Sequence, residues 1–174
     1  MFTSHAAKVQ LLRQSALLQK AQSALIGEIA ELASEKQFQP GSLIYNKGDE
    51  ASEFFALIEG EVIHPEVAGD DAGSLAVRRV ASRGQIFGFG STVPGAKRVL
   101  SARCENDVRV LAIDGRAFRS ACASNGDEGE RLLQEFTSVY AAYENAAAGK
   151  VRWISIKNAS KIYRNGTVAV ADCS

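Results

Sequence analysis

The feature that most constrains the fold is a change of period at Pro40-Gly41. Before it, apolar residues recur at helical spacing. Leu25, Ile29 and Leu32 fall at i, i+4 and i+7, with Leu11, Leu12, Leu17 and Leu18 upstream. The pattern predicts helix over residues 7–36. Gly27 weakens its interior by roughly 1 kcal/mol relative to Ala, so two helices are expected rather than one. From Phe38 to Ile113 the chain instead reads as short strands cut by glycine-bearing turns. The strand candidates are 42–46, 53–58, 60–67, 74–81, 98–104 and 107–113. Between them lie Lys47-Gly48-Asp49, Glu59-Gly60, residues 69–73, Arg83-Gly84 and Pro94-Gly95. Closely spaced strands of this kind build a small sandwich or barrel.

Helix returns after the strands. Asp114 is placed to cap a short helix over 114–121, and Asn125-Gly126 breaks it. Asp127, Glu128 and Glu130 put acid in the first turn of a longer helix, 127–148, where the helix dipole favours it. Leu132, Leu133, Phe136, Val139, Tyr140 and Tyr143 form one apolar stripe along it. Two readings of the stripe stand: core packing, and a homodimer contact with the same helix of a second subunit. Residues 150–174 change character again. Val151 to Lys157 and Lys161 to Arg164 are β-prone, and Asn165-Gly166 before Thr167-Val168-Ala169-Val170 is a hairpin signal.

Composition narrows the function classes. The 174 residues suit one domain plus a short appendage. Twenty basic side chains balance twenty acidic ones, so no bulk positive field exists to hold nucleic acid. A helix-turn-helix is also missing where residues 149–174 read as strands. Cys104, Cys122 and Cys173 make no CxxC pair, and His5 and His64 are the only histidines, which excludes the metal clusters of cupin-type enzymes. Acid around Cys104 disfavours a reactive thiolate. Arg78, Arg79 and Arg83 read as a solvated strand face. No apolar run approaches the length of a membrane span. Residues 1–27 lack acid and carry Lys8, Arg13 and Lys20, which mimics a targeting peptide. The segment runs on into a second helical pattern, so an ordinary helix is expected. The location expected is cytoplasmic, reaching a membrane only through a transporter complex.

One stretch is specific in its spacing: Phe38-x-Pro40-Gly41-x-x-Ile44-x-x-x-Gly48-Asp49, then Phe54, Leu57-Ile58 and Gly60-x-Val62. With Val110 to Asp114 and Phe118, it resembles the cyclic-nucleotide-binding domain family. That is the β-roll of catabolite-activator-type regulators and of the regulatory subunit of cyclic-AMP-dependent kinase. The resemblance covers residues 10–147. It implies an α+β, mainly β fold: an antiparallel, jelly-roll-like β-roll with helices before it and a long helix after it, together residues 1–149.

The resemblance also implies a phosphate-binding cassette within Ile86 to Ser101. The family pattern is Phe-Gly-Glu, a short helix, then Arg ten residues after the Gly. Here Gly88, Gly90, Ser91, Thr92, Arg98 and Val99 take up the cassette, and Arg98 stands at the phosphate position. A guanidinium fork matches two phosphate oxygens, and amides after Gly88 add donors. The ribose glutamate of the family is Phe89 here. A charge-assisted hydrogen bond of that kind is worth about 1.5–3 kcal/mol, so its loss weakens binding about 10- to 150-fold. Val99 and Leu100 also replace the small residues expected after the arginine. Three readings remain open: an intact cyclic AMP or GMP receptor, a pocket for another anionic ligand, and a non-catalytic interaction module that binds no nucleotide.

A second resemblance lies in residues 154–174. Ile154-Ser155-Ile156-Lys157-Asn158-Ala159-Ser160-Lys161-Ile162-Tyr163 and Gly166-Thr167-Val168-Ala169-Val170 look like the opening of an ABC-transporter ATP-binding domain. Tyr163 matches the aromatic on which adenine stacks in that family. The partners implied are a downstream ATPase domain and transporter membrane subunits. No GxxxxGK[ST] loop occurs in these residues, so this chain is not expected to hydrolyse ATP.

Overall fold

The computed structural model describes residues 3–66 and 79–147, with side chains to residue 144. Two N-terminal helices, α1 (His5–Leu12) and α2 (Ser23–Leu32), come first. Ser4 caps α1 by accepting from the Ala7 amide. The helical pattern does break in two, but at residues 13–22 and not at Gly27, which lies inside α2. Arg13 holds the break together by donating to the Ala21 carbonyl and to the Ser23 hydroxyl.

Ser34–Phe38 is strand β1, not the end of a helix. It pairs antiparallel with β8 (Val108–Asp114), from Ser34 opposite Ala112 to Phe38 opposite Val108. The segment reads Ser-Glu-Lys-Gln-Phe. Its local preference is weak, and the ladder with β8 overrides it. The other strands are β2 (Leu43–Tyr45), β3 (Glu53–Glu59), β4 (Val62–Ile63), β5 (Arg79–Val80), β6 (Ile86–Phe87) and β7 (Ala102–Cys104). Two four-stranded sheets result, ordered β1-β8-β3-β6 and β2-β7-β4-β5. They face each other as a roll and do not close into a barrel. The strands expected at 60–67 and 98–104 shorten to β4 and β7. Most of the 74–81 strand lies outside the described residues.

Two apolar interiors flank the first sheet. Leu11, Leu12, Leu25, Ile26 and Ile29 of the N-terminal helices pack with Phe54, Ile113, Phe118 and Phe136 on its outer face. Tyr45, Phe55, Leu57, Val62, Phe87 and Val110 fill the roll itself. Asp114 accepts from the Ala117 amide and caps α3 (Gly115–Ser124). Gly126, at φ +57, turns the chain into α4 (Gly126–Ala147). The stripe of α4 faces its own domain: Leu132, Phe136 and Tyr140 are buried. Its outer side carries exposed Glu130, Arg131, Gln134 and Glu135. No described helix is long and apolar enough to cross a membrane. The hairpin expected over 150–174, including Tyr163, lies outside the described residues.

Candidate ligand site

Between β6 and β7 the chain makes a tight turn that begins at Gly88. Its φ of +83 is a left-handed value that favours glycine. A Cβ here would also sit 3.0 Å from the Arg98 Nη1 and 3.2 Å from the Phe55 ring. A 3-10 helix, Phe89–Thr92, follows. Ser91 and Thr92 are buried and spend their hydroxyls locally, on the Gly88 and Phe89 carbonyls. The 3-10 turn is held from behind by α3: Arg119 donates to the Ser91 carbonyl at 2.7 Å.

Arg98 enters from the segment between the 3-10 helix and β7. Its backbone pairs with the turn after β2, with the Gly48 amide on the Arg98 carbonyl and the Arg98 amide on the Asp49 carbonyl, each at 2.8 Å. The side chain runs inward and is only 6% exposed. Nη1 donates to the Gly88 carbonyl at 2.9 Å and Nη2 to the Glu53 carbonyl at 2.6 Å. The guanidinium carbon lies 4.1 Å from the centre of the Tyr45 ring, a cation–π contact, and 5.8 Å from that of Phe55. Nε is buried and has no hydrogen-bond partner. Burial pulls the guanidinium below its usual pKa, opposed by Tyr45, Glu53 and Asp49. Burial pushes the Tyr45 phenol upward, against the pull of the Arg98 charge.

The fork that the resemblance assigns to a phosphate is thus turned onto backbone carbonyls. The space beside it is small. Tyr45, His64, Phe87, Phe89, Arg98, Leu100 and Tyr140 are among the walls of a cavity of about 30 Å³. That holds one or two waters, whereas small-molecule pockets measure about 300–1,000 Å³. Phe89 explains much of the difference. Its ring packs edge-on against Phe136 at 5.6 Å and stacks with Tyr143 at 6.2 Å, both on α4. The Tyr140 hydroxyl adds a bond to the Lys97 carbonyl at 3.1 Å. On the far side of Phe89 lies a larger groove of about 380 Å³, lined by Leu17, Val80, Ile86, Val139 and Tyr143. Phe87, Phe89 and Tyr143 line both spaces.

The structure therefore brings Gly88, Phe89, Gly90, Arg98 and Val99 to one cavity, while Ser91 and Thr92 face their own turn. Sequence reasoning missed Tyr45, and on sequence His64 reads as a half-exposed strand residue, whereas it lies just past β4. His64 is buried, and its Nδ1 lies 2.7 Å from the Ser101 carbonyl, so that nitrogen carries the proton. Burial lowers the His64 pKa, opposed by that carbonyl and by Glu66. The only signal for Tyr45 was an aromatic one residue after Ile44 of the motif. His64 carried no motif at all. Burial pushes the Cys104 and Cys122 thiols up to about 11, so both are protonated at neutral pH. No cluster of metal-ligating side chains occurs among the described residues.

The profile of the cyclic nucleotide-binding domain matches residues 35–125, from β1 through α3. The chain belongs to this family. Among solved structures it is similar to a candidate cyclic nucleotide-binding protein from Geobacter metallireducens, at 26% identity and a TM-score of 0.60. That match covers 76% of this chain and 92% of the other. The fold is also shared with the regulatory subunit of a cAMP-independent protein kinase A from Trypanosoma brucei. There identity is 19%, the TM-score 0.62, and coverage 83% of this chain and 49% of the other. The regulatory domain of Toxoplasma gondii protein kinase A, solved with cAMP, matches at 16% identity and a TM-score of 0.56. That match covers 67% of this chain and 44% of the other. The chain thus spans under half the length of these two kinase regulatory chains. No curated protein matches significantly.

Proposed function

We propose that this domain is a regulatory module with a degenerate cassette, which works without taking up cyclic AMP or cyclic GMP. One observation carries the reading. Both terminal nitrogens of Arg98 are committed to the Gly88 and Glu53 carbonyls beside a cavity of about 30 Å³. A cyclic phosphate would have to displace both bonds, and the Phe89 ring stands where the family places its ribose glutamate. The fold accommodates both behaviours: one neighbour is described as cAMP-independent and another was solved with cAMP. In this reading the chain catalyses nothing, and its partner is a protein domain. The resemblance of residues 154–174 to an ABC ATPase makes such an ATPase the proposed output, reached through α4.

Calorimetric titration with cyclic AMP and cyclic GMP, beside Arg98→Ala, tests the first half. No heat up to millimolar nucleotide is expected. Micromolar binding that Arg98→Ala abolishes would overturn the reading and make the domain a working receptor. The second half is tested by the coding sequence downstream of Ser174. A GxxxxGK[ST] loop within about 10–30 residues is expected, and its absence from an extended frame would remove the ATPase partner.

A further inference from the structure

The groove beyond Phe89 differs from the cassette cavity in size and in chemistry. Its volume of about 380 Å³ falls in the range of small-molecule pockets, about 300–1,000 Å³. Three separate stretches of chain wall it: the connection between α1 and α2, the β5–β6 turn, and α4. Its polar walls, Gln14, Ser82, Arg83 and Gln85, gather around Gly84. A Cβ on Gly84 would sit 2.6 Å from the Gln14 Cβ, so the turn and residue 14 meet at one spot. Most of the other walls are aliphatic or aromatic, Leu17, Ile86, Phe89 and Val139 among them.

The polar walls offer donors. Arg83 is exposed and forms no ion pair among the described residues. Its Nη1 donates to the Ile58 carbonyl at 3.0 Å, while Nε and Nη2 have no described partner. The Gln85 Oε1 accepts from the Ala81 and Ser82 amides, each at 3.2 Å, which leaves the Nε2 hydrogens to donate. No Asp or Glu is among the described walls.

We propose that this groove binds an amphipathic monocarboxylate of the medium-chain fatty acid class. The chain lies against Leu17, Ile86, Phe89 and Val139. The carboxylate meets the Nε–Nη2 edge of Arg83, where two parallel N–H donors match two oxygens. Phe89 and Tyr143 also wall the cassette cavity, and Tyr143 belongs to α4. One ligand thus touches both the closed cassette and the helix that carries the output. The inference deepens the reading of a module that works without cyclic nucleotide, and it rests on that reading.

Titration of the isotope-labelled whole chain with hexanoate, octanoate and octanol, followed by amide NMR shifts, tests the site. Octanoate should shift the Leu17, Gln85 and Val139 amides saturably. Hexanoate, two methylenes shorter, should bind about tenfold more weakly. Octanol, which keeps the chain and lacks the charge, should also bind about tenfold more weakly. Arg83→Gln should weaken octanoate about tenfold and leave octanol unchanged. Ala142→Trp, which fills the groove from α4, should abolish both. Should a variant fail to fold, the chain-length and head-group dependence of the wild type decides. No saturable shift would leave the groove to a protein partner and overturn the carboxylate site, with the nucleotide reading intact. Equal affinity for octanoate and octanol would overturn it too, since Arg83 would then take no part. Displacement of octanoate by micromolar cyclic AMP would overturn the nucleotide reading, and the site with it.

Discussion

Phe54 and Phe55 are neighbours in β3, yet their rings serve different interiors. Phe54 sits edge-on to Phe118 at 5.0 Å and to Phe136 at 5.2 Å, in the cluster that fastens the helices to the sheet. Phe55 stacks with Tyr45 at 6.0 Å and Phe87 at 5.3 Å inside the roll. The alternation of a strand sends adjacent side chains to opposite faces. The first interior is built from aliphatic and aromatic side chains. The second ends in a buried cation and a small cavity. The difference shows which interior is fastened by apolar packing and which also has to accommodate a charge. The turn at residues 88–92 lies at the seam of the two.

The largest break should come from the helical side. Phe54→Ala removes a ring that is 0% exposed and should lower the free energy of unfolding by about 3–5 kcal/mol. Urea denaturation measures this, and a loss below about 1 kcal/mol would mean that the helices are not fastened through this ring. The next effect belongs to the roll. Arg98→Met removes a desolvated charge but leaves the Gly88 and Glu53 carbonyls without donors, so a net loss of about 1–3 kcal/mol is expected. A more stable variant would show that desolvation of the cation outweighs its two bonds.

Phe89→Glu sharpens the contrast at the seam. It restores the family's ribose acceptor and takes an aromatic ring away from Phe136 and Tyr143. Calorimetry should then show cyclic-nucleotide affinity improved about 10- to 150-fold over the wild type. No gain would mean that the pocket has changed beyond that residue. Asp114→Ala, which uncaps α3, should cost about 1 kcal/mol and leave the cavity unchanged.

The smallest effect belongs to neither interior. The Glu35 carboxyl accepts from the Thr3 hydroxyl and from Arg109, and its side chain is 4% exposed. The Thr3 hydroxyl contributes most to holding its pKa down, burial opposes, and Arg109 assists, leaving it at about 2. The folded value lies below the ordinary one. Its contribution is therefore complete above the ordinary carboxylate range and is lost as pH falls from there toward about 2. The stability difference between wild type and Glu35→Gln should be present at about pH 6 and shrink at about pH 2.5.

Much of this was legible in the residues. Asp114, Asn125-Gly126 and the turn at Gly48 mark boundaries through local chemistry, and the structure uses them. The resemblance to the family's cassette located Arg98 and Gly88 relative to each other. The partners of Arg98 were not legible, because they are backbone carbonyls 10 and 45 positions away. A carbonyl has no letter in a sequence. Strand β1 escaped because Ser-Glu-Lys-Gln-Phe has neither alternation nor β-branched residues; its identity comes from Val108–Asp114. Strand β6 escaped because two residues cannot display a period. Phe89 was read as replacing the ribose glutamate, but its aromatic partners on α4 were visible only once the fold brought them together.

Gly115 opens α3 against the cassette turn with no side chain between them. A Cβ there would collide with the Ser91 carbonyl, while the Gly115 amide donates to the Ser52 carbonyl. Main chain therefore bears directly on main chain. Side chains elsewhere act as cushions, since a rotamer change can absorb a small shift. This joint has no cushion. A displacement of residues 89–92 must be handed on to the first turn of α3 without slack, as a push rod hands on a stroke, and a methyl group added at position 115 would force the rod off its seat.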